Sequence, residues 1–246
     1  MPANPSVALI TGAARRIGHA IAEDLAAHGW AVAIHYRESH GDAAALEKKI
    51  VAAGGNAVCV KGDLADLAVV PRIVSDASAA LGSITLLVNN ASLFEKDTVG
   101  ALDQALWQRQ MTVNLTAPVM LAEAFARQLP EGVEGNIVNL LDQRIWRPTP
   151  AYFSYQLSKS ALATATEILA QALAPRIRVN GIAPGPVLPS AQGGPDRFAK
   201  QVEALPLRRA PDLADFGRTV RYLVENRSVT GQIIALDGGQ HLGPKA

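Results

Sequence analysis

The sequence predicts a single α/β domain: an open, doubly wound sheet of seven parallel strands flanked by helices. Three observations predict it. Short β-branched apolar runs alternate along the chain with segments of helical periodicity. The first run leads straight into a glycine turn that opens a helix, the order in which helix-start amides bind a pyrophosphate. The 246 residues show no linker, repeat or change of composition that divides them, and 49% hydrophobic against 18% charged residues excludes a disordered chain.

Ser6–Ile10 is the first strand and Thr11-Gly12-Ala13-Ala14-Arg15-Arg16-Ile17-Gly18 the turn, after which Ile17, Ala20, Ile21 and Leu25 form one apolar helix face. Gly12 and Gly18 suit a tight turn and close helix packing, but Arg16 stands where the usual pattern has its middle glycine. A long cation replaces the close backbone approach, either reaching round to a phosphate or lying exposed at a helix start. Ala31–Ile34 is the second strand, ending in His35-Tyr36-Arg37-Glu38-Ser39. Dinucleotide-binding folds carry an acidic residue at this strand end, which binds the adenosine ribose and repels a 2′-phosphate. Tyr36 holds that position here. Arg16, Arg37 and Ser39 would offer a phosphate two cations and a hydroxyl, which favours NADPH over NADH. Glu38 runs against this, since its carboxylate can turn in to the ribose.

Asp42–Ala53 reads as a helix closed by Gly54-Gly55, and Ala57–Val60 as the third strand, followed by Gly62-Asp63-Leu64. Asp63 is placed either to accept from an adenine amino group or to act as an ordinary turn or cap aspartate. A helix over 69–81 precedes the fourth strand, Ile84–Val88, whose carboxyl end carries Asn89-Asn90-Ala91-Ser92. Open parallel sheets bind ligands outside the carboxyl ends of their strands, so this cluster belongs to a site edge. Phe94, two residues on, either fills core or stacks on a flat ligand. A long amphipathic helix over 102–128 holds Asn114, whose amide needs partners. Asn136–Leu141 is the fifth strand, with Asp142 emerging at its end. Ile177–Ile182 is the sixth, leading to Pro184-Gly185-Pro186, and after a helix over 216–224 Gln232–Leu236 is the last. Between Val187 and Leu205 the pattern weakens around Pro189, Gly193, Gly194 and Pro195, as in a substrate lid or a plain connection.

Tyr155-Gln156-Leu157-Ser158-Lys159 sits on the helix after the fifth strand. Four residues apart, phenol and ammonium project from one helix face. A neighbouring cation draws down a phenol pKa of ordinarily about 10, which suits Tyr155 to general acid work. Taken alone, the pair is more readily read as a solvated lysine beside a packed ring, and only the surrounding motifs reverse that.

A net charge of +1 provides no basic field for nucleic acid or anionic lipid, so neither is an expected partner. A single cysteine, Cys59, excludes an internal disulfide and fits core space in a strand. The five histidines lack metal-ligand spacing, so no metal is expected. Met1–Asn4 is short and polar for a signal peptide, and no apolar run approaches the roughly 18 residues of a membrane span. A cytoplasmic protein is expected.

Thr11-Gly12 with Gly18, Asn89-Asn90-Ala91, Asn114, Tyr155 with Lys159, and Pro184-Gly185 together resemble the short-chain dehydrogenase/reductase family, in the family's order, from about Val7 to Gly239. The resemblance implies a Rossmann-type domain and a homotetramer. It implies Tyr155 as catalytic acid/base, Lys159 on the nicotinamide ribose and tuning Tyr155, and Asn114 holding a proton-relay water. It also implies cofactor contacts from Gly12, Arg16, Ile17, Gly18, His35, Tyr36, Arg37, Ser39, Asp63, Leu64, Asn90, Ala91, Ser92, Pro184 and Gly185. Two departures from the general pattern look like the pteridine reductase subgroup: Arg16 for glycine, and Asp142 where the family usually has a serine. Ser92 and Phe94 also match that subgroup, whose serine contacts cofactor and pterin and whose phenylalanine sandwiches the pterin against the nicotinamide. The implied substrate set is Arg16, Ser92, Phe94, Asp142 and Tyr155. His35-Tyr36 and Ser39 resemble the subgroup's NADPH segment, whereas Glu38 stands where some members carry a basic residue.

The aspartate has a chemical reason. An ionised carboxylate opposes the negative charge that builds on a ketone oxygen, which a serine hydroxyl would stabilise. A C=N nitrogen needs a proton after hydride addition, and a dihydropterin offers N–H donors to a carboxylate. Asp142 also disfavours the tyrosinate, keeping the proton on Tyr155 against the pull of Lys159. Its plainer alternative is an ionised turn residue facing away. The expected function is NADPH-dependent reduction of a C=N bond in a dihydropterin or dihydrofolate-like ring. Two alternatives stand: reduction of ketones such as 3-oxoacyl thioesters with Asp142 protonated and donating, and NADP binding without turnover, against which Tyr155, Lys159 and Asn114 argue.

Overall fold

The computed structural model describes residues 6–189 and 194–243. Strands β1 (Val7–Ile10), β2 (Ala31–Tyr36), β3 (Ala57–Lys61), β4 (Leu86–Asn89), β5 (Gly135–Leu140), β6 (Ile177–Pro184) and β7 (Ile233–Leu236) form one sheet in the order β3-β2-β1-β4-β5-β6-β7. Every neighbouring pair is parallel. The chain leaves β3 at one edge and returns to β4 beside β1, which opens a crevice at the carboxyl ends of those two strands, where such sheets bind ligands.

The two faces of the sheet are covered by different helices. Ala8, Ile10, Val32 and Ile34 pack beneath α1 (Arg16–Ala27), α2 (His40–Ala52) and α8 (Leu213–Glu225). Val7, Leu9, Ala31 and Ala33 face α3 (Val70–Leu81), α5 (Ala117–Gln128) and the end of α6 (Phe153–Leu173). Burial on both sides is why β1 and residues 86–88 of β4 read as unbroken apolar runs rather than as alternating ones. β2 continues through His35 to Tyr36, two residues past the expected Ile34, because Tyr36 pairs with Lys61 and is buried.

Two expectations need correction. The segment 102–128 is not one regular helix: α4 (Gln104–Met111) is capped by the Asp103 carboxylate at the amides of Ala105 and Leu106, and a π-helical turn, Thr112–Thr116, joins it to α5. Such turns insert an extra residue and re-aim a side chain, here Asn114. The segment 187–205 contains a helix, α7 (Gly194–Glu203), none of whose residues is buried. Phe198 and Val202 lie one turn apart on it, but the helix is short and opens on Gly194-Pro195, so the turn signals outweigh the stripe in the sequence. Residues 190–193 of that segment lie outside the described residues. Among the described residues no helix is long and apolar enough to cross a membrane.

Candidate active site

The turn after β1 and the segment after β4 are locked together. Thr11 Oγ1 accepts from the amides of Asn90 and Ala91 at 2.9 and 3.0 Å, and Asn90 Nδ2 donates to the carbonyls of Thr11 and Gly12 at 2.8 and 3.2 Å. Gly12 has φ +63°, and a Cβ there would lie 3.0 Å from the Ala91 Cα, so both conformation and space call for glycine. Arg16 has φ 56°, the left-handed region. A side chain costs about 1 kcal/mol there, which accounts for the glycine of the usual pattern. Its guanidinium donates to the Pro189 carbonyl at 3.4 Å.

His35 is 2% exposed and lines neither of the clefts described below. Its Nδ1 accepts from the Gly12 amide at 3.1 Å, so the ring proton is on Nε2, which donates to the Gly62 carbonyl at 3.2 Å. The imidazole thus braces the glycine turn from beneath. Burial pushes its pKa down to about 4 despite the bond to Gly62. The unfolded chain takes up a proton below about pH 6.5 and the folded one does not, so this stability is present above that pH and lost as pH falls towards about 4. We expect up to about 3 kcal/mol of acid destabilisation over that window, read from urea midpoints, and a flatter profile in His35→Asn.

A cleft of about 450 Å³ opens at the carboxyl ends of β4, β5 and β6. Arg16, Ile17, Asn90, Ser92, Phe94, Asp142, Tyr155, Lys159, Pro184 and Gly185 line it, together with Arg144, Tyr152, Arg197, Gln201 and Gln240. A second cleft, of about 890 Å³, is lined by Tyr36, Arg37, Glu38, His40, Lys61, Asp63 and Arg72. Arg16 and Arg37 therefore face different clefts, and the trio of Arg16, Arg37 and Ser39 is not assembled. Arg15 is instead the cation drawn to α2, 2.5 Å from Asp42 one turn beyond Ser39. Arg37 pairs with Glu38 at 3.2 Å. Asp63 Oδ1 accepts from the Ala65 amide at 2.9 Å, as in the turn alternative, and Leu64 is buried in the core.

Tyr155 enters the first cleft from the second residue after the start of α6, and its hydroxyl donates to Asp142 Oδ2 at 2.9 Å. Asp142 accepts twice more, from the Arg144 amide at 2.8 Å on Oδ1 and from Arg144 Nη1 at 2.9 Å on Oδ2. Lys159, 2% exposed, donates to the Leu140 carbonyl at 2.6 Å, with its nitrogen 6.0 Å from the Tyr155 ring centroid. The expected pull of Lys159 on the phenol does not prevail. Burial, then the charge and hydrogen bond of Asp142, hold the Tyr155 pKa well above its ordinary value, with Arg144 and Ser92 opposing. Burial lowers Lys159 to about 8, against the attraction of Asp142. A phenol kept protonated is fit to donate.

The walls are positioned by buried polar side chains. Asn114 accepts on Oδ1 from Ser92 Oγ and the Leu93 amide, and its Nδ2 donates to the Leu93 carbonyl and to Ser158 Oγ. All of its amide's bonds go to protein, so the side chain pins the Ser92 loop to α6. Asp97, 7% exposed, accepts the Ser154 amide on both oxygens and caps α6, while its carbonyl accepts from the Tyr152 amide. Phe94 then stacks on Tyr152 with centroids 4.3 Å apart and planes 7° from parallel, and meets Tyr155 edge-on. Gly185 lies against Asp237, whose Cα a Cβ would approach to 2.7 Å.

Sequence reasoning missed Arg144, Tyr152 and Asp97, and also Arg197, Gln201 and Gln240 of the cleft wall. No motif marks them, although Tyr152 three positions before Tyr155 was open to the same helical-spacing argument.

The sequence matches the family described as enoyl-(acyl carrier protein) reductase over residues 12–241. The crystal structure of FolM alternative dihydrofolate reductase 1 from Brucella suis in complex with NADP is 58% identical, covers 100% of this chain and 98% of its own, and superposes with a TM-score of 0.96. The FolM alternative dihydrofolate reductase 1 of Brucella canis, complexed with NADP, is 56% identical over 99% of this chain and 96% of its own, with the same TM-score. An uncharacterized oxidoreductase of Methylorubrum extorquens is 33% identical over 95% of this chain and 96% of its own length.

Proposed function

This chain belongs to the short-chain dehydrogenase/reductase family, in its pteridine reductase-like subgroup, and from that premise we propose that it reduces a C=N bond of a dihydropterin or dihydrofolate-like ring with NADPH. The carrying observation is the state of Asp142. Three donors converge on it, one of them the Tyr155 hydroxyl. Paired with the Arg144 guanidinium, the carboxyl serves as an acceptor. It opposes an oxyanion and suits a ring nitrogen system bearing N–H groups, which favours C=N over C=O as the bond reduced.

The chain's groups fit a dinucleotide. The left-handed Gly12 turn, tied down by Asn90 and His35, fixes the start of α1, where a diphosphate would be held, and Lys159 suits the nicotinamide ribose. Arg15, paired with Asp42 on α2, and Arg37, in the second cleft, are the cations near Ser39 in the chain that would read a 2′-phosphate, and Tyr36 and Asp63 line that second cleft, which would take the adenosine. Bound NADPH supplies the hydride. Phe94, backed by Tyr152, flanks the flat ring, Asp142 takes its N–H groups, and Tyr155 gives a proton to the nitrogen of the reduced bond. A homotetramer fits the two large apolar side chains left exposed on one line of α6, Leu157 at 41% and Ile168 at 59%.

Phe94→Ala tests the substrate class. We expect KM for a dihydropterin to rise about tenfold through lost stacking, with kcat/KM for an acetoacetyl thioester unaffected. An equal effect on the two substrates contradicts a stacked ring.

A further inference from the structure

Among the described residues Arg144 is the cation paired with Asp142, and no sequence motif assigns it a task. The bond is made in a sheltered place: 25% of the Arg144 side chain and 14% of that of Asp142 are exposed, and the guanidinium carbon lies 5.4 and 5.5 Å from the ring centroids of Phe94 and Tyr152. A sheltered carboxylate that loses its cation is left uncompensated, and a neutral carboxyl in its place donates where the paired carboxylate only accepts. The other ionisable groups facing Asp142 do not replace the guanidinium. Lys159 on α6 is committed to Leu140 and Arg16 at the start of α1 to Pro189, Tyr155 is the donor already described, and Arg197 of α7 lines the cleft without an ion pair to Asp142.

We propose that Arg144 is a specificity-determining residue, which keeps Asp142 an acceptor and thereby admits a C=N ring with N–H donors while rejecting a carbonyl that needs a second donor. The inference rests on the C=N reading above. In both reactions the carbon gains the hydride, the heteroatom gains the Tyr155 proton, and water restores that proton to the phenol. Negative charge builds on the heteroatom in both, but the N–H donors of a pterin offset the Asp142 charge beside it whereas an acyl carbonyl brings none, so a charged Asp142 raises the carbonyl barrier.

Arg144→Gln and Arg144→Lys are compared with the unsubstituted enzyme on dihydrobiopterin and acetoacetyl thioester across pH. The Asp142 carboxyl is followed separately by NMR of carboxyl-labelled aspartate. In Arg144→Gln we expect the pterin-to-thioester ratio of kcat/KM to fall at least about tenfold at neutral pH. Lowering the pH depresses the pterin rate and raises the thioester rate more than in the parent, and the Asp142 carboxyl signal shifts relative to the parent's. Arg144→Lys, which keeps the charge, restores most of the ratio. An unchanged ratio with an unmoved Asp142 titration, or an equal loss on both substrates in both variants, overturns the proposal and leaves the pterin reading standing. A parent enzyme that turns over no dihydropterin overturns both.

Discussion

In Tyr155→Phe, kcat for dihydropterin reduction falls by about 10³-fold while NADPH binding, followed by its fluorescence, keeps its affinity. The change removes one oxygen. The ring remains packed edge-on to Phe94, and α6 keeps its Asp97 cap. What goes is the proton that the reduced nitrogen receives, and among the described residues no other hydroxyl donates to Asp142. The phenol is suited to this step because burial and Asp142 hold its pKa up, so it carries its proton throughout the neutral range. A variant retaining more than about a tenth of the parental kcat would place the proton donor elsewhere.

Asp142→Asn is expected to lower kcat for a dihydropterin by about 10²-fold and to move the basic limb of the pH profile. The direction follows from the charge. Asp142 raises the pKa of Tyr155 and opposes the fall in that of Lys159, which burial has brought to about 8. Without the negative charge both groups lose protons more readily, so the limb shifts to lower pH whichever of them carries it. Asparagine preserves the size of the side chain, and the amides of the Gly12 turn are untouched. A limb that stays in place, or moves up, would show that Asp142 does not govern the ionisation of its neighbours.

Much of this was legible in the sequence because the residues concerned are tied to periodic elements. Alternating apolar runs and helical faces gave seven strands, and Asp142 at a strand end with Tyr155 thirteen positions later carried the central contact, which forms at 2.9 Å. What escaped depends on three-dimensional neighbours. Arg144 reads as any surface arginine until a short 3₁₀ turn, Gln143–Ile145, folds it back onto Asp142. Asp97 sits in a loop, and its partner at the start of α6 is 57 residues away. His35 looks like part of a cofactor segment, yet its ring is buried beneath the Gly12 turn and bonded to the Gly12 amide. At Tyr155 the opposition of Asp142 to Lys159 was legible, but the largest cause of the raised pKa, burial, leaves no mark in a spacing argument.

The most direct test is NADPH oxidation by the unsubstituted protein against dihydrobiopterin, dihydromonapterin, dihydrofolate and an acetoacetyl thioester in parallel. Turnover of at least one of the three dihydropterin rings, with kcat/KM about 10²-fold or more above that of the thioester, is the expected result. Preferential turnover of the thioester would contradict the assignment of Asp142 as a charged acceptor, and with it the C=N chemistry.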